Sequence, residues 1–171
     1  VGGNGGSMSA SYGVGCPNTA NVPVTVSGGT LNAVAGKTDG NSYGINNTAG
    51  TITVGNSSTG GTVNAVGGPA ASFSAGIYGG TVKVRRGSLN AVGGFTDYVG
   101  YGIRLSNALT VSGGTVNAAG VDYGIDGQYG QGVTISGGTV TAVGGRLGLI
   151  VSSGSLAGGS FTGGEMAVFC Q

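Results

Sequence analysis

Residues 133–142 read Val133-Thr134-Ile135-Ser136-Gly137-Gly138-Thr139-Val140-Thr141-Ala142. Apolar and polar residues alternate in two short runs, which is the period of a strand with one face buried. The glycine pair between the runs supplies a corner, because a positive φ costs little only for glycine. The stretch therefore predicts a strand, a corner and a second strand.

The same two runs recur along the chain, and a third phrase precedes them. The Gly-Gly-Thr-Val-Asn-Ala phrase begins at Gly28, Gly60, Arg86, Gly113 and Gly137, with a decayed copy at Ser153. The Val-Thr-Val phrase begins at Val24, Ile52, Val82, Leu109 and Val133. The Tyr-Gly-Ile phrase begins at Tyr12, Tyr43, Ala75, Tyr101, Tyr123 and Leu147. Three phrases in a fixed order indicate about six repeats of 22–32 residues.

Three short strands and three corners in each repeat predict one coil of a parallel β-helix. A single coil cannot bury its apolar side alone, so coils stack and share one core. We expect an all-β solenoid of about six right-handed coils, with aliphatic ladders inside at a spacing of about 4.8 Å. Like amides at Asn32, Asn64, Asn90 and Asn117 should form a file that hydrogen-bonds along the axis.

The repeats set the boundaries of the chain. We expect a glycine-rich N-terminal segment over residues 1–11, the solenoid over 12–164 and an apolar tail over 165–171. The tail either caps its own last coil or adds itself to a neighbouring copy. The longest perimeter loop is expected between Asn46 and Gly61.

Composition excludes several classes of protein. Only 6% of the 171 residues are charged and the net charge is +1, while 39% are hydrophobic. That balance is not typical of disorder, and it favours association. There is no apolar run of about 18 residues, so no membrane span is expected. Scattered basic residues give no footprint for nucleic acid.

The repeated phrases resemble those of secreted microbial surface proteins with β-helix, adhesin-like or carbohydrate-binding repeats. The glycine-rich composition with two cysteines also resembles the protein of archaeal sheaths and similar extracellular tubes. This resemblance implies an extracellular or cell-surface location, and it carries over no catalytic residue.

The two cysteines lie near the two ends of the chain. An even count in an extracellular chain favours disulfide formation. About five coils separate Cys16 from Cys170, or roughly 24 Å at the strand spacing. Three outcomes stay open: the tail runs back along the column to Cys16, Cys170 of one copy bonds Cys16 of the next, or both thiols stay free.

Other candidate sites are weaker. Tyr12, Tyr43, Tyr101 and Tyr123 share one coil position, either as an aromatic strip that stacks on sugars or as a ladder that covers a corner. Asn46 and Asn56 begin glycosylation acceptor patterns in the expected loop.

Catalysis is not expected. Asp39 and Asp97 should lie on one edge two coils apart, roughly 9.6 Å, which is near the separation of inverting glycosidase carboxylates. Their positions in turns explain them as well, and the chain contains no histidine. We therefore expect no catalytic residue, no metal ligand and no cofactor.

The sequence favours a structural subunit of an extracellular polymer, such as a sheath, fibre or surface layer. Its copies would assemble by solenoid stacking and disulfides between chains. The alternative is an adhesin or carbohydrate-binding module of a cell-surface protein. The expected partners are other copies of the chain, and surface glycans for the alternative.

Overall fold

The computed structural model describes residues 10–16, 19 and 21–171, and these form one sheet of 15 strands. The strands are β1 (Ser11–Gly15), β2 (Val24–Val26), β3 (Thr30–Val34), β4 (Ser42–Val54), β5 (Gly61–Val66), β6 (Phe73–Val84), β7 (Gly87–Val92), β8 (Val99–Leu105), β9 (Ala108–Gly120), β10 (Tyr123–Gly127), β11 (Gly132–Gly144), β12 (Leu147–Val151), β13 (Gly154–Leu156), β14 (Ser160–Gly163) and β15 (Met166–Cys170).

The strands stack in parallel on three faces, which we call A, B and C in chain order. Face A holds the Tyr-Gly-Ile phrases, in β1, the start of β4, the start of β6, β8, β10, β12 and β15. Face B holds the Val-Thr-Val phrases, in β2, the ends of β4 and β6, the starts of β9 and β11, and β13. Face C holds the Gly-Gly-Thr phrases, in β3, β5, β7, the ends of β9 and β11, and β14.

The described residues therefore make six three-strand coils and the first strand of a seventh. Every pairing in the column is parallel, and in the first five coils each phrase lies on its own earlier and later copies. The predicted decayed Gly-Gly-Thr copy at Ser153 is wrong, because Gly154–Leu156 pairs with residues 133–135 on face B and face C is continued by β14. The predicted all-β parallel β-helix of about six coils is confirmed. Its right-handedness stays a prediction.

Aliphatic side chains fill the column, as the alternation predicts. The isoleucine file of face A has no exposed surface, and it consists of Ile45, Ile77, Ile103, Ile125 and Leu149. Buried valines and leucines of faces B and C pack against this file in one cluster. A continuous core explains why single coils of this sequence are not expected to fold alone.

Glycine in the Tyr-Gly-Ile phrase is required by a close approach between two faces. A Cβ on Gly76 would lie 2.4 Å from the backbone nitrogen of Val92 on face C, and a Cβ on Gly44 would lie 2.5 Å from that of Val66. Real Cβ contacts are not that short, so face A can lie directly on the face C backbone only where a side chain is missing.

The asparagine file forms the predicted ladder, on the outer side of face C. Nδ2 of each amide donates to Oδ1 of the amide one coil earlier, at 2.8 Å in all three steps: Asn64 to Asn32, Asn90 to Asn64, and Asn117 to Asn90. Thr141 takes the next position and ends the file.

Of the two arrangements predicted for the tail, the structure has the one on its own last coil, because residues 166–170 form β15 and pair with β12 in the register of face A. The prediction of a long loop was wrong. The stretch from Asn46 to Gly61 is mostly strand, since β4 continues to Val54 through an irregularity between Asn47 and Thr51. Of the N-terminal segment over residues 1–11, residues 1–9 lie outside the described residues, and β1 already begins at Ser11.

Candidate functional sites: the aromatic face and the open ends

The seven tyrosines of the chain and Phe73 lie along face A in three groups of contacting rings, with Tyr129 outside these groups. The ring pairs are Tyr12 with Tyr43 at 6.0 Å, Tyr43 with Tyr78 at 5.4 Å, Phe73 with Tyr98 at 5.2 Å and Tyr101 with Tyr123 at 5.4 Å. Ala75 stands between Tyr43 and Tyr101 in the register, so the predicted strip of four tyrosines is divided into two pairs.

Arg104 joins the three ring groups and Tyr129 into one aromatic cluster. Its guanidinium carbon lies 5.0–5.7 Å from four ring centroids, those of Tyr101, Tyr78, Phe73 and Tyr129. Contacts at this distance are attractive because the ring face is negative. Sequence reasoning missed Arg104, although it directly follows the Tyr101-Gly102-Ile103 phrase.

A carboxylate balances this arginine. Oδ2 of Asp126 lies 4.0 Å from Nε of Arg104, and the Asp126 side chain has no exposed surface. Its Oδ1 accepts a hydrogen bond from the backbone nitrogen of Gln128 at 3.1 Å. Burial raises the pKa of Asp126 above its ordinary value, while the bond from Gln128 and the charge of Arg104 act in the opposite direction.

Two tyrosines are structural rather than accessible. Tyr43 and Tyr101 are buried, and loss of hydration on burial raises the pKa of each to about 12. Three others, Tyr12, Tyr98 and Tyr129, are exposed. The buried rings pack with Ala75 as a second, smaller hydrophobic cluster on face A, and only the rings at its edge are accessible to a partner.

Asp39 and Asp97 do lie along one edge, as their spacing predicts. Thr38 and Thr96 are each bridged to Ala70, so the two carboxyls stand two coils apart. Both line a cleft of about 310 Å³ together with Lys37 and Phe95. The ring of Phe95 is 70% exposed at this cleft.

The expectation of a surface loop is wrong for one glycosylation acceptor. Asn46 lies within β4 and is 5% exposed, which leaves no room for a glycan on the folded chain. Asn56 lies in the turn after β4, where its Oδ1 accepts from the backbone nitrogens of Ser58 and Thr59. Glycosylation at Asn56 stays a prediction.

Both ends of the described column are open strand edges. At one end, β1, β2 and β3 each pair with a single described strand; at the other, β13, β14 and β15 do the same. Phe161 replaces the alanine file of face C in the last coil and packs against the core. Its ring covers part of the aliphatic column but not the backbone edges of the three strands.

The cysteines stand at opposite ends of face A. Cys170 pairs with Val151 in the register, and Cys16 directly follows β1, where its backbone nitrogen donates to the carbonyl of Asn46. Six strand spacings, about 29 Å, therefore separate the two residues. Because β15 extends the column instead of running back along it, the disulfide within one chain is excluded, and both thiols are free.

The sequence predicts neither a membrane-spanning helix nor a cluster of metal-ligand side chains. The described residues include no helix able to cross a bilayer. Across the same part of the chain, no three His, Cys, Asp or Glu side chains come together as metal ligands could.

Comparison with known proteins supports the architecture. A family model for the beta helix repeat matches three segments, residues 59–77, 109–130 and 133–158. These cover strands from all three faces. No curated protein and no solved structure gives a significant match.

Proposed function

We propose that this chain is a non-catalytic structural subunit of an extracellular polymer at a cell surface. Its copies stack end to end, so that the column of one continues the column of the next. The observation that carries the proposal is the pair of open ends, each with three strands that pair with a described strand on one side only. Unpaired edges are templates for further strands.

A second copy fits these edges better than an unrelated strand because the column repeats. The strands at both ends belong to the same three faces, and the side-chain files keep their register over the coils between. A head-to-tail contact between identical columns does not close on itself unless it bends into a ring, so it yields filaments.

The surface of the column also favours a polymer. A net charge of +1 on 171 residues gives little repulsion between copies. The six edge strands, β1 to β3 and β13 to β15, contain none of the charged residues or prolines that many proteins place on free strand edges.

A proline placed on an open edge tests stacking. The backbone nitrogen of Gln171 donates to Val151, so by alternation the backbone of Val168 faces away from β12. Val168→Pro removes a donor from the open edge and leaves the pairs with β12 in place. We expect filaments in electron micrographs of the parent and of the control Val168→Ala, and short particles for Val168→Pro. Equal filament lengths in all three samples would contradict the proposal.

The alternative, a glycan-binding module, is favoured by one observation. The cleft that holds Phe95, Asp39 and Asp97 combines an exposed ring with two carboxylates, which is a usual arrangement for stacking and hydrogen bonding to a sugar. Binding of the parent to a glycan array, lost in Phe95→Ala and kept in the distant control Phe169→Ala, would favour this module over the polymer.

A further inference from the structure

We infer that Cys170 of one copy and Cys16 of the next form the disulfide that locks each junction. The inference rests on the proposed end-to-end stacking and specifies its register. The sequence alone leaves this pairing as one alternative, and the register of face A selects it.

The two cysteines belong to one file of the sheet. The register of face A runs from Cys16, which follows Gly15, through Asn47 and Gly79. It then passes Leu105, Gly127 and Val151, and ends at Cys170. If β1 of a second copy continues the column on β15, its Cys16 takes the place directly above Cys170.

Distance then favours a bond. Neighbouring positions on paired strands lie about 4.8 Å apart, inside the range of roughly 4.4–6.8 Å between Cα atoms that disulfides span. A shift of β1 on β15 by one residue turns the side chain to the other face. A shift by two residues moves the Cα atoms to roughly 8 Å apart, which is beyond the range of a disulfide.

Backbone pairing is satisfied in the same register. Cys16 donates to Asn46, so the amide and carbonyl of Gly15 face away from β4 toward the open end. On β15, the backbone groups of Cys170 and Val168 also face their open end, because Gln171 donates to Val151. Cys170 can thus donate to the Gly15 carbonyl of the next copy, as parallel strands require.

Side chains agree with this register as well. It places Val14 of the next copy on Val168 and so continues the buried isoleucine file. It also places Tyr12 on Met166, and both of these side chains are exposed in the single chain. The junction would therefore cover two apolar side chains while it forms the covalent bond.

β15 projects one strand beyond β13 and β14, so in this register face A alone pairs, and β2 and β3 of the next copy stand two strand spacings, about 9.6 Å, from β13 and β14. A second copy turned by one face would instead pair β1 with β13, β2 with β14 and β3 with β15, but it would not place the Tyr-Gly-Val phrase of β1 on face A. In that arrangement Cys16 has no cysteine within reach, and a disulfide could not form at the junction.

The bond is an oxidation that needs an acceptor. The two thiols lose two protons and two electrons as the S–S bond forms, and a small-molecule disulfide such as oxidised glutathione takes them up as two thiols. The junction should therefore be reversible by a reductant.

Complementary single-cysteine variants test the inference. ¹⁵N-labelled Cys16→Ser and unlabelled Cys170→Ser are mixed under oxidised glutathione and compared with each variant alone on non-reducing gels. On the gel, the mixture should give a covalent dimer and no trimer or larger oligomer. Mass spectrometry of the dimer should find a disulfide-linked peptide that joins labelled Cys170 to unlabelled Cys16. The parent should give a ladder that collapses to monomer with reductant.

Homotypic Cys16–Cys16 or Cys170–Cys170 dimers as the main product, or no mixed dimer, would overturn the register. The double variant Cys16→Ser/Cys170→Ser separates this result from the proposed function. If it still forms filaments while the mixture gives no Cys170–Cys16 bond, stacking stands and the disulfide falls. If neither the double variant nor the parent associates under any redox condition, both fall.

Discussion

Nε of Arg104 lies 4.0 Å from Oδ2 of Asp126, a carboxylate with no exposed surface. The guanidinium also lies against four aromatic rings, so this one ion pair ties together the outer layer of face A. Breaking a buried pair costs more than the pair contributes, because the remaining charge is left without a partner.

Arg104→Ala should therefore lower the free energy of unfolding by roughly 3 kcal/mol at neutral pH. The loss should shrink toward pH 4, since burial already raises the pKa of Asp126 and removal of Arg104 raises it further. A group with a raised folded pKa stabilises below its unfolded pKa and loses that contribution as pH rises. Urea denaturation across this pH range measures the effect. In Asp126→Asn the added Arg104→Ala should cost less and show no such dependence on pH; an equal cost in both backgrounds contradicts the pairing.

Alkaline pH should unfold the chain through two buried phenols. The pKa of Tyr43 and of Tyr101 is raised to about 12, from 10.0 in an exposed tyrosine. The unfolded chain releases these protons first, so stability is full below pH 10 and falls as pH rises from 10 to 12. Tyr43→Phe/Tyr101→Phe should flatten this fall in a thermal denaturation series. The exposed Tyr98→Phe is the matched control and should leave the fall unchanged.

The glycine of the Tyr-Gly-Ile phrase should tolerate no side chain. Gly76→Ala puts a Cβ 2.4 Å from the backbone nitrogen of Val92. The two faces must separate, and we expect a loss of about 3 kcal/mol in the free energy of unfolding. Gly28→Ala, where a Cβ meets nothing within 4 Å, should change it by less than about 0.5 kcal/mol. Similar urea midpoints for the two variants would refute the close approach.

Each asparagine of the ladder should stabilise the fold in proportion to the number of hydrogen bonds that its side chain makes. Asn90→Ala removes two side-chain hydrogen bonds and Asn32→Ala removes one. At about 1 kcal/mol for each bond, the interior variant should lose about twice as much stability as the end variant. Equal losses measured by urea denaturation would mean that the ladder does not act as a connected file.

Much of the fold could be predicted because each phrase carries its own strand and corner. The coil count, the parallel stacking and the asparagine ladder all follow from residues that repeat in register. The strand β15 was missed because Met166-Ala167-Val168 has alanine where earlier copies have glycine, and so the phrase is no longer recognisable.

The aromatic cluster could be predicted only in part, for a different reason. Tyr12, Tyr43, Tyr101 and Tyr123 occupy a repeated position, but Tyr78, Tyr98 and Tyr129 reach the cluster from other positions. Only the fold brings Tyr78 and Tyr129 to Arg104, and Tyr98 to Phe73. Asn46 is predicted to be exposed because it begins a glycosylation acceptor pattern in a polar stretch. Nothing in that pattern indicates that β4 continues through the stretch and buries the Asn46 side chain.

The most direct test of end-to-end stacking is fibre diffraction from oxidised, aligned material. If copies continue one another's columns, the strands lie across the filament, and a reflection near 4.8 Å should appear on the axis of the filament. Filaments with that reflection perpendicular to their axis, or a sample that stays monomeric when concentrated under oxidising and reducing conditions, would contradict it.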